Sequence, residues 1–278
     1  MIINNNLTAK NAYRNYFNVS GALSRSTEKL SSGYRINRAA DDAAGLVVSQ
    51  VLRSQISGLE MATKNAQDGV SLAQTAEGSL QEVNDILQRM RDLSVQSSNG
   101  TASVAARCAS DAEFQQLKQE IQRIGSFTTF GGLNLFSATT AANFSGGVTF
   151  QVGANGTDTI RVTIATLNQG SVGAMLLATA RIDSATFATA QMTALDNAIN
   201  QVSTTRGTIG AFQNRLESTV RSNMVAQENV QAAESRLRDV DVAKEMTNFT
   251  RLSIMQQTAS AMLGQANNLP NGVLRLIG

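Results

Sequence analysis

The sequence predicts a mainly α protein: a long antiparallel helical bundle, or coiled coil, with a small β-hairpin region. Three observations lead to this fold class. Two widely separated segments repeat apolar residues at intervals of three and four positions, and a segment between them alternates polar with apolar residues. The 278 residues also include a single proline. Heptad spacing is typical of helices that pack along their whole length, and scarce proline lets such helices continue unbroken.

The first heptad segment covers residues 43–98. Its apolar positions are Leu52, Ile56, Leu59, Ala66, Val70, Ala73, Leu80, Val83, Leu87 and Met90. A helix of this length would extend about 80 Å, so it needs a partner along its length. The turn residues of SSNGTAS at 97–103 should end it. A shorter helix over 109–126 should follow, with Ser110 and Glu113 forming a capping box.

The alternating segment lies between residues 127 and 182. Apolar residues fall on every second position at Val148, Phe150 and Val152, which would place them on one face of a strand. The sequence GANGTD then predicts a turn. After it, the alternation resumes at Ile160, Val162 and Ile164. This pattern predicts a β-hairpin.

The second heptad segment covers residues 185–238 and is the natural antiparallel partner of the first. Its apolar positions are Leu195, Ile199, Val202, Ile209, Phe212, Leu216, Val220, Val230, Ala233 and Leu237.

The two chain ends, residues 1–30 and 242–266, are amphipathic but poor in charge. Between residues 252 and 278 the only charged side chain is Arg275. A polar face of Gln, Asn, Ser and Thr beside an apolar stripe predicts helices that other copies of the chain bury. Such ends should be poorly ordered when free. The predicted contacts in the core of a polymer are Leu7, Phe17, Leu23, Phe249, Leu252, Met262 and Leu263.

A charged joint separates each end from its heptad segment. The first joint is LSSGYRINRAADDAAGL at 30–46, and the second is SRLRDVDVAKE at 235–245. One interpretation is a connector whose charges pair with each other and whose Asp41 or Asp42 caps the following helix. The other is a metal site that combines Asp41 and Asp42 with Asp239 or Asp241, which the neighbouring arginines oppose. The joint residues are Arg35, Arg38, Asp41, Asp42 and Asp239.

The composition excludes several classes of function. The chain has no histidine, which removes histidine-dependent triads and most catalytic zinc sites. Its single cysteine, Cys108, cannot form an internal disulfide or a thiolate cluster. We therefore expect no enzyme activity and no cofactor.

The sequence also gives no sign of a nucleic-acid or membrane partner. It contains no basic run of the kind that predicts nucleic-acid binding, and no apolar run is long enough for membrane insertion. The N-terminus also lacks the pattern of a cleavable signal peptide.

Several long motifs resemble bacterial flagellins. EKLSSGYRINRAADDAAGL at 28–46 matches the flagellin signature, and the helix that begins GLEMATKNAQDGVSLAQTAEG is similar to the flagellin helix that follows it. The motifs TTFGGLNLF and FQVGAN resemble the flagellin hairpin region, and AAESRLRDVDVAKEMTNFTRLSIMQQTASAMLGQ resembles the flagellin C-terminus. The resemblance covers about residues 1–165 and 190–278.

The resemblance implies a division into two flagellin domains, with only about residues 165–190 in place of variable outer domains. The implied segments are an N-terminal D0 helix and spoke at 1–40, a D1 rod with short helix and hairpin at 41–182, a D1 C-terminal rod at 183–238, and a C-terminal D0 helix at 239–278.

The resemblance also implies a function and partners. The chain would self-assemble into the flagellar filament used for swimming, after export in unfolded form by the flagellar type III apparatus, and its termini would fold on polymerisation. Its partners would be other copies of itself, the flagellar cap and hook-junction proteins, and an export chaperone on the C-terminal helix.

A host Toll-like receptor is a further implied partner, because flagellins present a receptor patch on D1. The matching stretch here is LQRMRDLSVQ, and the corresponding residues are Arg89, Leu93 and Glu113. This sequence departs from the family pattern at Met90, Asp92 and Ser94. The alternative interpretation is that Arg89 and Glu113 only pair across two helices while Leu93 packs.

Two other functions compete with a filament subunit. A junction protein between hook and filament shares the terminal signatures, although the match through both rods and DDAAG favours flagellin. A flagellin with a metalloprotease insert is excluded, because such an insert needs histidines and this chain has none.

Overall fold

The computed structural model describes residues 5–136, 147–163 and 180–277, with side chains described as far as residue 268. The helices are α1 (Leu7–Ser32), α2 (Ala43–Ser98), α3 (Val104–Phe127), α4 (Ala185–Arg238) and α5 (Val242–Ile277). The strands are β1 (Thr129–Phe130), β2 (Leu133–Asn134), β3 (Val148–Gln151) and β4 (Thr159–Val162). The predicted mainly α fold with a small β region is confirmed.

The chain divides into two compact units. One unit consists of residues 1–55 and 229–278, and the other consists of residues 56–228. In the described part of the chain, no helix is both long enough and apolar enough to cross a membrane.

The unit of residues 56–228 is built around two heptad helices. Buried residues recur on α2 in two rows, each with a spacing of seven: Leu59, Ala66, Ala73, Leu80, Leu87 and Ser94, and Ala62, Gly69, Ala76, Val83, Met90 and Ser97. One row recurs on α4 with the same spacing: Ala188, Leu195, Val202, Ile209, Leu216 and Asn223. Strict seven-residue spacing keeps one seam of each helix turned toward its neighbour.

The two heptad helices run antiparallel in this unit, as the sequence predicts. Arg91 of α2 forms an ion pair with Asp196 of α4 at 2.7 Å. Glu77, further back along α2, pairs at 3.7 Å with Arg206, further forward along α4. The residue numbers therefore rise along one helix as they fall along the other.

The third helix begins earlier than the sequence analysis predicts. The expected start at residue 109, with a Ser110–Glu113 capping box, is wrong. Ser103 has extended backbone angles and its Oγ accepts the N–H of Ala106 at 3.2 Å, so α3 begins at Val104. Arg107 then donates to backbone carbonyls at the end of α2, which holds the first turn of α3 in place. Phe114 and Ile121 of α3 are fully buried.

The predicted β-hairpin is confirmed. β3 pairs antiparallel with β4, with Val148 opposite Val162 and Phe150 opposite Ile160. Ile164, which was expected to extend the alternation, lies outside the described residues, as does most of the segment 165–190. β1 and β2 form a second, shorter antiparallel pair. Gly131 and Gly132 supply its two-residue turn with φ of 58° and 82°, which suits a type I′ hairpin.

In the unit of residues 1–55 and 229–278, α1 packs against α5. Asn6 Nδ2 donates to the carbonyl of Ala266 at 2.8 Å, and Ser26 Oγ donates to Glu245 Oε1 at 2.6 Å. The N-cap residue of α1 thus meets the late part of α5, and the late part of α1 meets the first turn of α5, so the two helices are antiparallel.

Candidate assembly surface

The pair of end helices leaves much of its apolar surface uncovered. Leu7, Phe17 and Met262 are 70%, 67% and 61% exposed. The other predicted contacts, Leu23, Phe249, Leu252 and Leu263, are half-buried. Isolated exposed apolar residues are ordinary, but a connected apolar patch is typical of an interaction surface.

An apolar groove of about 570 Å³ lies on this pair of helices. Ile254, Met255 and Met262 are its largest lining residues. The remaining lining residues are Ala12, Asn15, Asn18, Val19, Thr258 and Ala259. Because the groove is apolar and carries no charged side chain, the geometry suits an apolar helix face rather than a charged ligand.

Backbone hydrogen bonds connect the two joints, which belong to the same unit. Arg35 N donates to the carbonyl of Arg238 at 2.7 Å, and Val240 N donates to the carbonyl of Gly33 at 3.0 Å. Gly33 has φ of 74°, which ends α1 in the left-handed conformation that glycine adopts freely. Arg35 Nη2 adds a hydrogen bond to the carbonyl of Leu237 at 2.6 Å. These hydrogen bonds therefore hold residues 33–35 of the first joint against residues 237–240 of the second joint.

The carboxylates of the joints are occupied by local partners. Asp41 Oδ2 accepts the N–H groups of Asn37 and Arg38, and Asp42 Oδ1 accepts that of Gly45 at 2.9 Å, which caps α2. Asp239 Oδ2 accepts from Ser235 Oγ at 2.6 Å. These contacts match the connector interpretation.

A metal site receives no support from the same residues. Throughout residues 5–136, 147–163 and 180–277, no group of three or more His, Cys, Asp or Glu side chains could hold a metal ion.

Electrostatics at the first joint favour the charged form of Asp41. The hydrogen bond from the backbone N–H of Arg38 lowers the pKa of Asp41 below its ordinary value of 3.8, and Asn37, Lys29 and Arg38 contribute in the same direction. Arg38 also forms an ion pair with Glu28 at 2.9 Å.

One residue of the joint, Tyr34, was missed by the sequence analysis. The guanidinium of Arg238 lies 4.5 Å from the Tyr34 ring centroid, and that of Arg53 lies 5.9 Å from it. Such cation–π contacts are worth about 0.5–2 kcal/mol. The only signal in the sequence was an aromatic residue within an arginine-rich joint, which does not reveal that an arginine about 200 positions away would cover it.

The predicted receptor patch lies on α2 and α3. Arg89 pairs with Glu113 at 2.7 Å, and both side chains are about half-exposed. Leu93 is only 2% exposed and belongs to the core between the helices. The structure thus brings Arg89 and Glu113 together at the surface and places Leu93 beneath it.

The fold and surfaces define a protein of long paired helices whose end helices are incompletely covered. Residues 3–141 match the bacterial flagellin N-terminal helical region, and residues 192–277 match the bacterial flagellin C-terminal helical region. The chain belongs to the bacterial flagellin family, so it is a structural protein and not an enzyme.

Relatives match over their whole length. The chain is 48% identical to a flagellin of Halalkalibacterium halodurans and 45% identical to a flagellar filament 33 kDa core protein of Treponema phagedenis, with 100% of both chains covered in each case. A crystal structure of Bacillus cereus flagellin superposes with a TM-score of 0.52 at 29% identity, covering 58% of this chain and 88% of that one.

Proposed function

We propose that this chain is the structural subunit of the bacterial flagellar filament and that it polymerises with copies of itself outside the cell. The relatives that it matches over their full length are named flagellins and a flagellar filament core protein. The observation that carries the proposal is the exposed apolar surface of α1 and α5, which other subunits would bury.

The mechanism follows from the energetics of that surface. Fully burying a side chain such as Phe17 or Met262 contributes about 1.5–3 kcal/mol, and an extended polymer core would bury several of them in every subunit. A contact between two different surfaces of the same chain builds a helical filament when the rotation between neighbouring copies does not close into a ring. Folding of the end helices would then be completed by assembly.

The domain assignment belongs to the same proposal. The D0 segments at 1–40 and 239–278 would form the core of the filament, and the D1 segments at 41–182 and 183–238 would surround that core. The two joints, which are connected by backbone hydrogen bonds, would transmit force between the D0 core and the D1 segments around it.

The further partners are the flagellar cap and hook-junction proteins, with an export chaperone that covers α5 before assembly. The charge-poor face of α5 supports this last partner, since an uncovered apolar helix would aggregate in the cell. Export in unfolded form through the flagellar type III apparatus completes the proposed route to the filament.

A host Toll-like receptor would recognise the surface around Arg89 and Glu113. Both side chains are accessible and together present one positive and one negative charge, whereas Leu93 is buried in the core of its unit. Arg89→Ala should reduce activation of receptor-bearing reporter cells several-fold, while Arg123→Ala, on the exposed face of α3, serves as the matched control. Equal activation by both variants would contradict this partner.

Electron microscopy of the purified chain, after salting-out or seeding with filament fragments, tests the main proposal. Long regular tubes are expected from the full chain. Variants that lack residues 1–30 or 245–278 should give none, because the surfaces that bury each other are gone. Short stubs or monomers from the full chain, despite seeds, would favour the alternative of a junction protein between hook and filament.

A further inference from the structure

The β3–β4 hairpin touches both heptad helices of its unit through the same short stretch of backbone. Asn65 Nδ2 on α2 donates to the carbonyl of Gln151 at 3.1 Å. Asn223 Nδ2 on α4 donates to the carbonyl of the next residue, Val152, at 2.8 Å. Carbonyls of successive residues in extended backbone point in opposite directions, so one carbonyl is bound by each helix.

The hairpin also lies in close contact with α2 at two glycines. A Cβ on Gly69 would stand 3.5 Å from the Phe150 ring, and a Cβ on Gly58 would stand 3.0 Å from Cβ of Ala154. Glycine inside a helix costs about 1 kcal/mol relative to alanine. The close approach of the hairpin favours glycine at position 58, whereas at position 69 the tighter neighbour is Leu216 of α4.

These contacts have a consistent direction along all three elements. Phe150, Gln151 and Ala154 of the hairpin meet positions 69, 65 and 58 of α2, so the two run antiparallel. On α4, Leu216 lies 3.0 Å from a Cβ on Gly69, and Asn223 binds Val152 further along. A longitudinal shift of α2 against α4 would therefore break the hydrogen bond at one end or the other.

Asn223 occupies a position that the heptad pattern would give to an apolar residue. It continues the buried row of Val202, Ile209 and Leu216, and it is 8% exposed. A heptad seam made only of apolar residues is nearly unchanged by a shift of one repeat, and a single polar residue in the seam is a known means of fixing the register. The interhelical ion pairs are weaker candidates, because both lie at the exposed edge of the seam.

We propose that Asn65 and Asn223 determine the longitudinal register of α2 against α4. Each amide binds one carbonyl of the β3–β4 hairpin, so the hairpin fixes the position of one helix relative to the other. The apolar rows supply affinity between the helices, and the two amides select one longitudinal position. The monomer alone would have this property, so it does not depend on filament assembly.

The test is a distance measurement between spin labels on the full chain in the monomeric state. Labels would be attached at Thr75→Cys and Thr193→Cys, both exposed, with Cys108→Ser removing the native exposed thiol. The parent chain should give one narrow distance. The Asn65→Ala/Asn223→Ala variant should add a second population displaced by about 10 Å, the rise of seven helical residues.

Asn223→Leu separates register from stability. It completes the apolar row but leaves the buried carbonyl of Val152 without its donor. Because the added apolar burial offsets that loss, the melting temperature should stay near that of the parent while the second distance still appears. Asn200→Leu, an exposed position on the same helix, should change neither quantity.

A single unchanged distance in Asn223→Leu would overturn the proposal, because apolar packing alone would then set the register. The same conclusion would follow if the double alanine variant lowered the melting temperature but kept one narrow distance. If the double variant does not fold, the folded Asn223→Leu variant decides.

Discussion

The heptad helices of residues 56–228 and the end helices α1 and α5 are both amphipathic but differ in what covers their apolar residues. In the former, rows such as Leu195, Val202 and Ile209 are fully buried by neighbouring elements of the same chain. In the latter, Phe17 and Met262 face outward. Amphipathic periodicity shows that a helix has a face to bury, but the number of elements around it decides whether the monomer can bury that face.

The first prediction concerns the covered region, where the expected effect is largest. Phe114 of α3 is fully buried, so Phe114→Ala should destabilise the monomer by about 3–5 kcal/mol through lost transfer energy and a residual cavity. Urea denaturation followed by circular dichroism measures the loss. A change below 1 kcal/mol would mean that the core around α3 is much looser than the structure indicates.

The second prediction concerns the uncovered region and should show the opposite behaviour. Phe17→Ser and Met262→Ser should leave monomer stability nearly unchanged but weaken polymerisation, because each removes about 1.5–3 kcal/mol of burial in the filament. This corresponds to about a 10- to 100-fold rise in the critical concentration, which sedimentation of assembled polymer measures.

Asn11→Ser is the matched control, since Asn11 is exposed on the same helix and polar. A large loss of monomer stability in Phe17→Ser would show that the monomer already buries this side chain, and the contrast between the two regions would then fail.

The third prediction concerns the joint at the start of α2. Asp42→Ala removes the cap on the N–H of Gly45 and should cost about 1 kcal/mol of stability. Asp68→Ala removes an exposed carboxylate in the middle of the same helix and should cost much less. Thermal unfolding of both variants measures the difference, and equal melting temperatures would argue against the capping role.

The smallest expected effect is a pH dependence at Asp41. Its pKa is lowered in the folded chain, mainly by the backbone N–H of Arg38. A lowered pKa contributes stability above the ordinary value of 3.8, and this contribution is lost as the pH falls through the lower folded value. Carboxyl chemical shifts in an NMR titration should place the Asp41 midpoint below that of the urea-unfolded chain. Coincident midpoints would remove this contribution.

Much of the secondary structure could be predicted because its causes are local. Seven-residue spacing with scarce proline predicts α2 and α4, and alternation around GANGTD predicts the β3–β4 hairpin. The capping role of Asp42 follows from its place directly before an apolar helical pattern. The start of α3 was mispredicted because two serines, Ser103 and Ser110, each offer a capping hydroxyl within a stretch compatible with a helix. Contacts of Arg107 with the end of α2 favour the earlier one.

The candidate surfaces divide in the same way. The sequence alone determined that the chain ends are amphipathic and poor in charge, and that the joints combine arginine with aspartate. Only the tertiary structure decided that Leu93 is buried while Arg89 and Glu113 pair at the surface. It also decided that Arg238 covers Tyr34 and that Asn65 and Asn223 bind neighbouring carbonyls of one hairpin. The physical reason is that helical period depends on residues three and four positions apart, whereas these contacts join residues that are distant in the chain and meet only when the helices pack.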